Sequence, residues 1–176
     1  KVAKEPFWDI VTDASRRNTF HPARDYFDSL AWDGTKRIDR WLIDNAGAED
    51  TPFVRAASRI FLIAAVRRVR QPGCKYDEML TLESPQGMNK SSALKIMAVK
   101  EAWFSDNLPL GAGSKEVIEQ TRGHLILEAA ELNGMRKGDV DSLKSFLSRQ
   151  VDKARLSYGR LTSEVPRQWV PVGTLN

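Results

Sequence analysis

The chain has 176 residues, with 27 Lys and Arg against 23 Asp and Glu for a formal net charge of +4, 41% apolar and 28% charged residues; this is the balance of a folded domain and excludes a disordered tail. A single cysteine, Cys74, and two histidines exclude an internal disulfide framework and a Cys/His zinc cluster. The longest apolar run, residues 60–66, is too short to cross a bilayer, so the expectation is a cytoplasmic protein with no membrane partner.

Turn signals punctuate the first 50 residues, at His21-Pro22 and at Asp33-Gly34. Tyr26, Phe27 and Leu30 before the Asp-Gly pair, and Ile38, Trp41 and Leu42 after it, recur at helical spacing. They predict two short helices joined by that turn, with Trp32 and Trp41 as core anchors. Thr51-Pro52 starts a stronger helix, since a Thr cap followed by Pro in the first turn satisfies one orphan amide and removes another. Ile60, Phe61, Ile63, Ala64 and Val66 make its middle apolar nearly all round, which predicts a mostly buried helix ending at Gln71-Pro72-Gly73. Arg55, Arg59, Arg67, Arg68, Arg70 and Lys75 follow one another with no acid among them. Such a cluster suits a phosphate-rich partner, and equally suits the negative end of a helix dipole.

From Tyr76 onward short apolar runs alternate with helical patterns, as in an α/β core. The predicted strands are residues 78–82, 124–128 and 169–173, with a weaker candidate at Trp103-Phe104, and His124 reads as a structural residue. Predicted helices cover 90–99, 114–122 and 140–149. In the last of these Leu143, Phe146 and Leu147 fall on one face, and Asp139 or Asp141 can cap its start. The expected division is an N-terminal helical segment, 1–75, and an α/β core, 76–176.

Between the first strand and its helix stands LESPQGMNKSS, residues 82–92. A phosphate-binding loop has this layout, but its pattern asks for Gly, four residues, then Gly-Lys-Ser/Thr, and here Ser84 and Asn89 replace the framing glycines. Asn89 is the least damaging substitute, because asparagine tolerates the left-handed region better than other residues with side chains. Gly87 remains for close approach of a ligand, Lys90 can reach β- and γ-phosphates, and Ser91 or Ser92 supplies a hydroxyl for magnesium. An ordinary turn with a solvated lysine would read the same way in isolation.

Other residues fit that chemistry. The apolar run Leu125, Ile126, Leu127 closes on Glu128, with Glu131 three residues later, and a carboxylate at the carboxyl end of a buried strand faces the ligand crevice of an α/β sheet. An ATPase needs one carboxylate near magnesium and another to orient water. The last run delivers Thr174 and Asn176 to the same edge.

The ordered series YFDSLAWDGTKRIDRWL, RQPGCKYDEMLTLESPQGMNKSSALKIMA, WFSDNL, LILEAAELNG, LKSFLSRQVDKARLSYGR and PRQWVPVGTLN resembles the virulence-associated protein E family. That family is similar to the helicase portions of phage and satellite primase-helicases, with a P-loop ATPase core akin to AAA+ and superfamily 3 helicases. The resemblance runs from about His21 to the end. It implies a P-loop NTPase core with a parallel sheet, preceded by a helical segment, that uses ATP and Mg2+ to act on single-stranded DNA as a homo-oligomer, up to a hexameric ring.

Gly87, Asn89, Lys90, Ser91 and Ser92 match the nucleotide-binding loop, Ser91 and Glu128 the magnesium site, Glu131 the catalytic base and Asn176 the sensor of the GTxN ending. Arg149, Arg155 and Arg160 match basic positions from which an arginine finger could serve a neighbouring copy. Arg155, Tyr158 and Arg160 could instead contact a nucleic-acid strand. Three departures stand out. Two loop glycines are replaced, Glu128 and Glu131 would face opposite sides of a straight strand, and the chain stops at the sensor asparagine, which implies a core truncated at its C-terminal end. These departures keep open a non-enzymatic alternative, a degenerate P-loop protein acting as a DNA-binding or interaction module.

Overall fold

The computed structural model describes residues 4–130, 132, 136–156 and 161–176. Two compact units divide it, Lys1–Asp33 and Gly34–Asn176. The smaller holds α1 (Lys4–Arg17) and α2 (Pro22–Ser29). Helix α2 starts where the turn signal predicts it, with the His21 ring accepting a hydrogen bond from the Arg24 amide and Pro22 in the first turn. Helix α1 was not predicted, although Phe7, Trp8 and Val11 recur at helical spacing and Arg16 and Arg17 close its last turn. Trp32 is 75% exposed and is not the core anchor expected of it.

In the larger unit α3 (Trp41–Ala46) and α4 (Pro52–Arg70) precede the sheet and belong to the same compact body. Gly47 ends α3 in the left-handed conformation at φ 69°. Thr51 caps α4 by accepting from the Val54 amide, and Trp41 bridges the two helices by donating its indole N–H to the Ser58 carbonyl. Leu42, Phe61, Ala64, Ala65 and Val69 are buried. The expectation of a helix buried nearly all round is corrected, for Ile60, Ile63 and Val66 lie on a solvent-facing side of α4 and are 49%, 47% and 36% exposed. An apolar run longer than the buried stripe of a one-sided helix must turn some of its members outward.

Arg68, grouped by sequence with the surface cations, is also corrected. It is 1% exposed and donates to the carbonyls of Trp169 and Tyr76 at 2.9 Å each, with its guanidinium against both rings. Its positive charge thus ties α4 to the sheet rather than facing a partner.

Four parallel strands form the sheet: β1 (Leu80–Glu83), β2 (Phe104–Ser105), β3 (Ile126–Ala129) and, skipping a separate hairpin, β6 (Val170–Leu175), in the spatial order β1-β6-β3-β2. The hairpin pairs β4 (Val151–Ala154) with β5 (Ser163–Pro166) antiparallel. Helices α5 (Lys90–Met97), α6 (Ser114–Thr121) and α7 (Lys137–Leu147) complete the unit. Strands, helices and their order agree with the predicted α/β core to within a few residues, while the hairpin was not foreseen.

Along β3 successive side chains alternate between faces. Leu127 and Ala129 join Val117, Leu143, Phe146, Leu147 and Trp169 in one apolar cluster with α6 and α7. Ile126 and Glu128 therefore take the opposite face, where α5 packs near β3. Start of α7 is fixed by Asp139, whose carboxylate accepts from the Arg136 amide.

The hairpin is anchored by a buried ion pair. Arg167 donates from Nε and Nη2 to the two oxygens of Asp152 at 2.7 and 2.8 Å, and from Nη1 to the Phe146 carbonyl at 2.6 Å. Its guanidinium lies 4.4 Å from the Phe146 ring centre and 4.8 Å from that of Trp169. Two backbone bonds, Arg167 N–H to Gln150 and Gly73 N–H to Arg167, add to the anchor.

Candidate functional site

At the carboxyl edge of the sheet a cleft of about 320 Å³ is lined by Gln86 to Ser92, Glu128, Ala130, Thr174 and Asn176. Three parallel strands deliver these groups. Leaving β1, the chain turns through residues 84–89 into α5, whose first turn contains no acidic residue. The positive end of that helix dipole therefore opens on the cleft with no acidic residue in its own first turn, an arrangement suited to an anion.

The loop adopts its shape by two left-handed residues, Gly87 at φ 83° and Asn89 at φ 57°. Asn89 thus does the work of the missing glycine, as its conformational tolerance predicts. A methyl group added at Gly87 would meet nothing within 4 Å, so in this structure glycine is required there by backbone conformation rather than by space. Ser84, the other replacement, has taken on a contact of its own. The Lys90 ammonium donates to the Ser84 carbonyl at 2.8 Å, to Ser84 Oγ at 3.1 Å, to the Pro85 carbonyl at 3.4 Å and to Asn176 Oδ1 at 2.8 Å. The lysine thereby bridges the exits of β1 and β6.

A second cluster lies beside it. Glu128 is fully buried, and its Oε1 accepts from Ser91 Oγ and from Thr174 Oγ1, both at 2.7 Å. Its Oε2 is buried and has no hydrogen-bond partner among the described residues. An unpaired buried carboxylate oxygen is costly and asks for a cation or a bound water. Among the described residues no group of three or more His, Cys, Asp and Glu sits together, so no all-protein metal cage is present. One hydroxyl and one carboxylate fit magnesium instead, which keeps waters and takes its remaining ligands from substrate phosphates.

Of the residues picked from sequence, Gly87, Asn89, Lys90, Ser91, Ser92, Glu128 and Asn176 line this cleft together. Arg149 and Arg155 do not line it. Arg149 follows α7 with its guanidinium 5.7 Å from the Phe146 ring centre, and Arg155 follows β4 on the exposed surface. Glu131, Tyr158 and Arg160 lie outside the described residues. Sequence reasoning missed the parts played by Ser84 and Thr174. Thr174 was visible as a polar group at a strand end, but its partner Glu128 is 46 residues away and becomes a neighbour only because β6 lies beside β3.

The family model of the virulence-associated protein E-like domain matches residues 27–176. No curated protein matches the chain. Among the described residues no helix is long and apolar enough to cross a membrane.

Proposed function

Because the chain belongs to the virulence-associated protein E-like family, a P-loop NTPase-type domain, we propose that it binds ATP with magnesium and hydrolyses it to act on DNA, as the helicase-type ATPase of a phage or mobile-element replication protein. The observation that carries this reading is the pair of linked contacts at one sheet edge, Lys90 with Asn176 and Ser91 with Glu128. Lys90 with Ser91, the buried Glu128 and Asn176 come from three separated stretches of sequence and converge within one cleft.

On nucleotide binding Lys90 leaves Ser84 and Asn176 and donates to the β- and γ-phosphate oxygens, while the loop amides at the start of α5 hold the phosphates. Ser91 and Glu128 would hold a magnesium ion, which would supply positive charge against the phosphate oxygens. Freed from Lys90, the Asn176 amide faces the γ-phosphate or the attacking water. Glu131 orients that water for in-line attack, ADP departs as the leaving group, and Arg149, Arg155 or Arg160 of a neighbouring copy reaches the γ-phosphoryl group passing to the water. Assembly into a ring, up to a hexamer, and movement along single-stranded DNA complete the proposal.

The test is calorimetric titration of Mg-ATP into the protein and into Lys90→Ala. Loss of charge-assisted hydrogen bonds to phosphate predicts affinity weakened by about 10- to 100-fold. Equal affinity in the two proteins, or no binding by the unsubstituted one, overturns the reading. ATP turnover that rises with added single-stranded DNA supports the helicase assignment, and turnover indifferent to DNA removes it.

A further inference from the structure

Two hydroxyls converge on one oxygen of Glu128, and they differ in freedom. Ser91 is exposed at the start of α5, whereas Thr174 is 7% exposed in the centre of the sheet. Register places it there. Glu128 pairs with Val172 and Leu82 pairs with Thr174, so Thr174 projects on the same face as Glu128, one pleat nearer the carboxyl edge. The Leu108 amide also donates to the Glu128 carbonyl at 3.0 Å, which pins the backbone that carries the carboxylate.

From this geometry we infer that Thr174 is a positioning residue that selects the cation. Its hydroxyl fills one lone pair of Oε1, and the Ser91 hydroxyl, which keeps donating its hydrogen when its oxygen ligates a metal, fills the other, so Glu128 presents Oε2 alone to the cation or to a water bound on it. Calcium takes six to eight oxygens and often both oxygens of a carboxylate, whereas magnesium accepts a near-octahedral set of single oxygens. A carboxylate restricted to one oxygen disfavours calcium more than magnesium. The inference rests on the nucleotide-binding reading above, and it adds a discrimination which that reading does not require.

Equilibrium binding of a fluorescent ATP analogue, titrated separately with Mg2+ and Ca2+, tests it in the unsubstituted protein, Thr174→Val and Thr174→Ser. The expected result is a Ca2+ midpoint above the Mg2+ midpoint in the unsubstituted protein. The ratio of the two falls about tenfold in Thr174→Val, the factor carried by one hydrogen bond to a charged group, and is kept in Thr174→Ser, which retains the hydroxyl. An unchanged ratio in Thr174→Val overturns the inference alone, as does a Thr174→Ser variant that behaves like Thr174→Val. Absence of analogue binding with either cation in the unsubstituted protein overturns the nucleotide reading and the inference together. Thermal unfolding is recorded for each variant, and Thr174→Ala replaces Thr174→Val should the latter not fold.

Discussion

Replacing Asp152 by Ala leaves the Arg167 guanidinium, whose side chain is 1% exposed, without its carboxylate. The two charge-assisted bonds at 2.7 and 2.8 Å disappear. The bond to the Phe146 carbonyl and the faces of Phe146 and Trp169 remain in the variant and partly offset the charge left without its carboxylate. Breaking a buried ion pair by removing one partner costs about 3–5 kcal/mol, and the surviving contacts place this case at the lower end, about 3 kcal/mol. For a urea slope of about 2 kcal/mol/M the unfolding midpoint falls by about 1.5 M. The assay is urea denaturation followed by tryptophan fluorescence. Removing both charges, Asp152→Leu with Arg167→Met, is expected to regain at least half of the loss, since an apolar pair avoids the desolvation penalty. A cost for Asp152→Ala below about 1 kcal/mol, or a double variant no better than the single one, would refute the claim that this pair is desolvated. The same pair anchors β4, which runs between Arg149 and Arg155.

Two further expectations follow from local geometry. Asn89→Ala places a β-carbon in the left-handed region, where it costs about 1 kcal/mol and lowers Tm by about 2–4 °C, whereas Asn89→Gly leaves Tm unchanged or higher; scanning calorimetry showing equal losses in both would contradict the conformational account of that position. The Asp50 carboxylate is held down to about 2 chiefly by hydrogen bonding from Arg55, and further by Arg40. Its pKa is depressed on folding, so this contribution is complete above the ordinary value near 3.8 and is lost as pH falls from there through about 2. Carboxyl titration by NMR should find the Asp50 midpoint well below its ordinary value, and Asp50→Asn should flatten the acid limb of stability; an Asp50 midpoint near its ordinary value contradicts the pairing.

Local chemistry was legible in the sequence wherever a residue acts through its own backbone. Thr51-Pro52 started α4, Gln71-Pro72-Gly73 ended it, and Asn89 took the left-handed conformation that its side chain tolerates. The apolar run ending at Glu128 announced a buried strand because hydrophobic periodicity reports burial directly. The hairpin escaped because its fully buried positions include Asp152, so no apolar alternation marks it. Burial of that acid makes sense only once Arg167 is beside it, 15 residues on.

The exposed side of α4 and the inward turn of Arg68 were equally invisible, because the sequence of a helix does not tell which of its sides a sheet will cover. Above all, the order β1-β6-β3-β2 belongs to the tertiary structure. Parallel strands have no hairpin to fix their partners, and their neighbours are chosen by helix crossover and packing. The sequence by itself supplied the lysine, the hydroxyls, the acid and the asparagine; the placement of β6 between β1 and β3 brought Asn176 to Lys90 and Thr174 to Glu128.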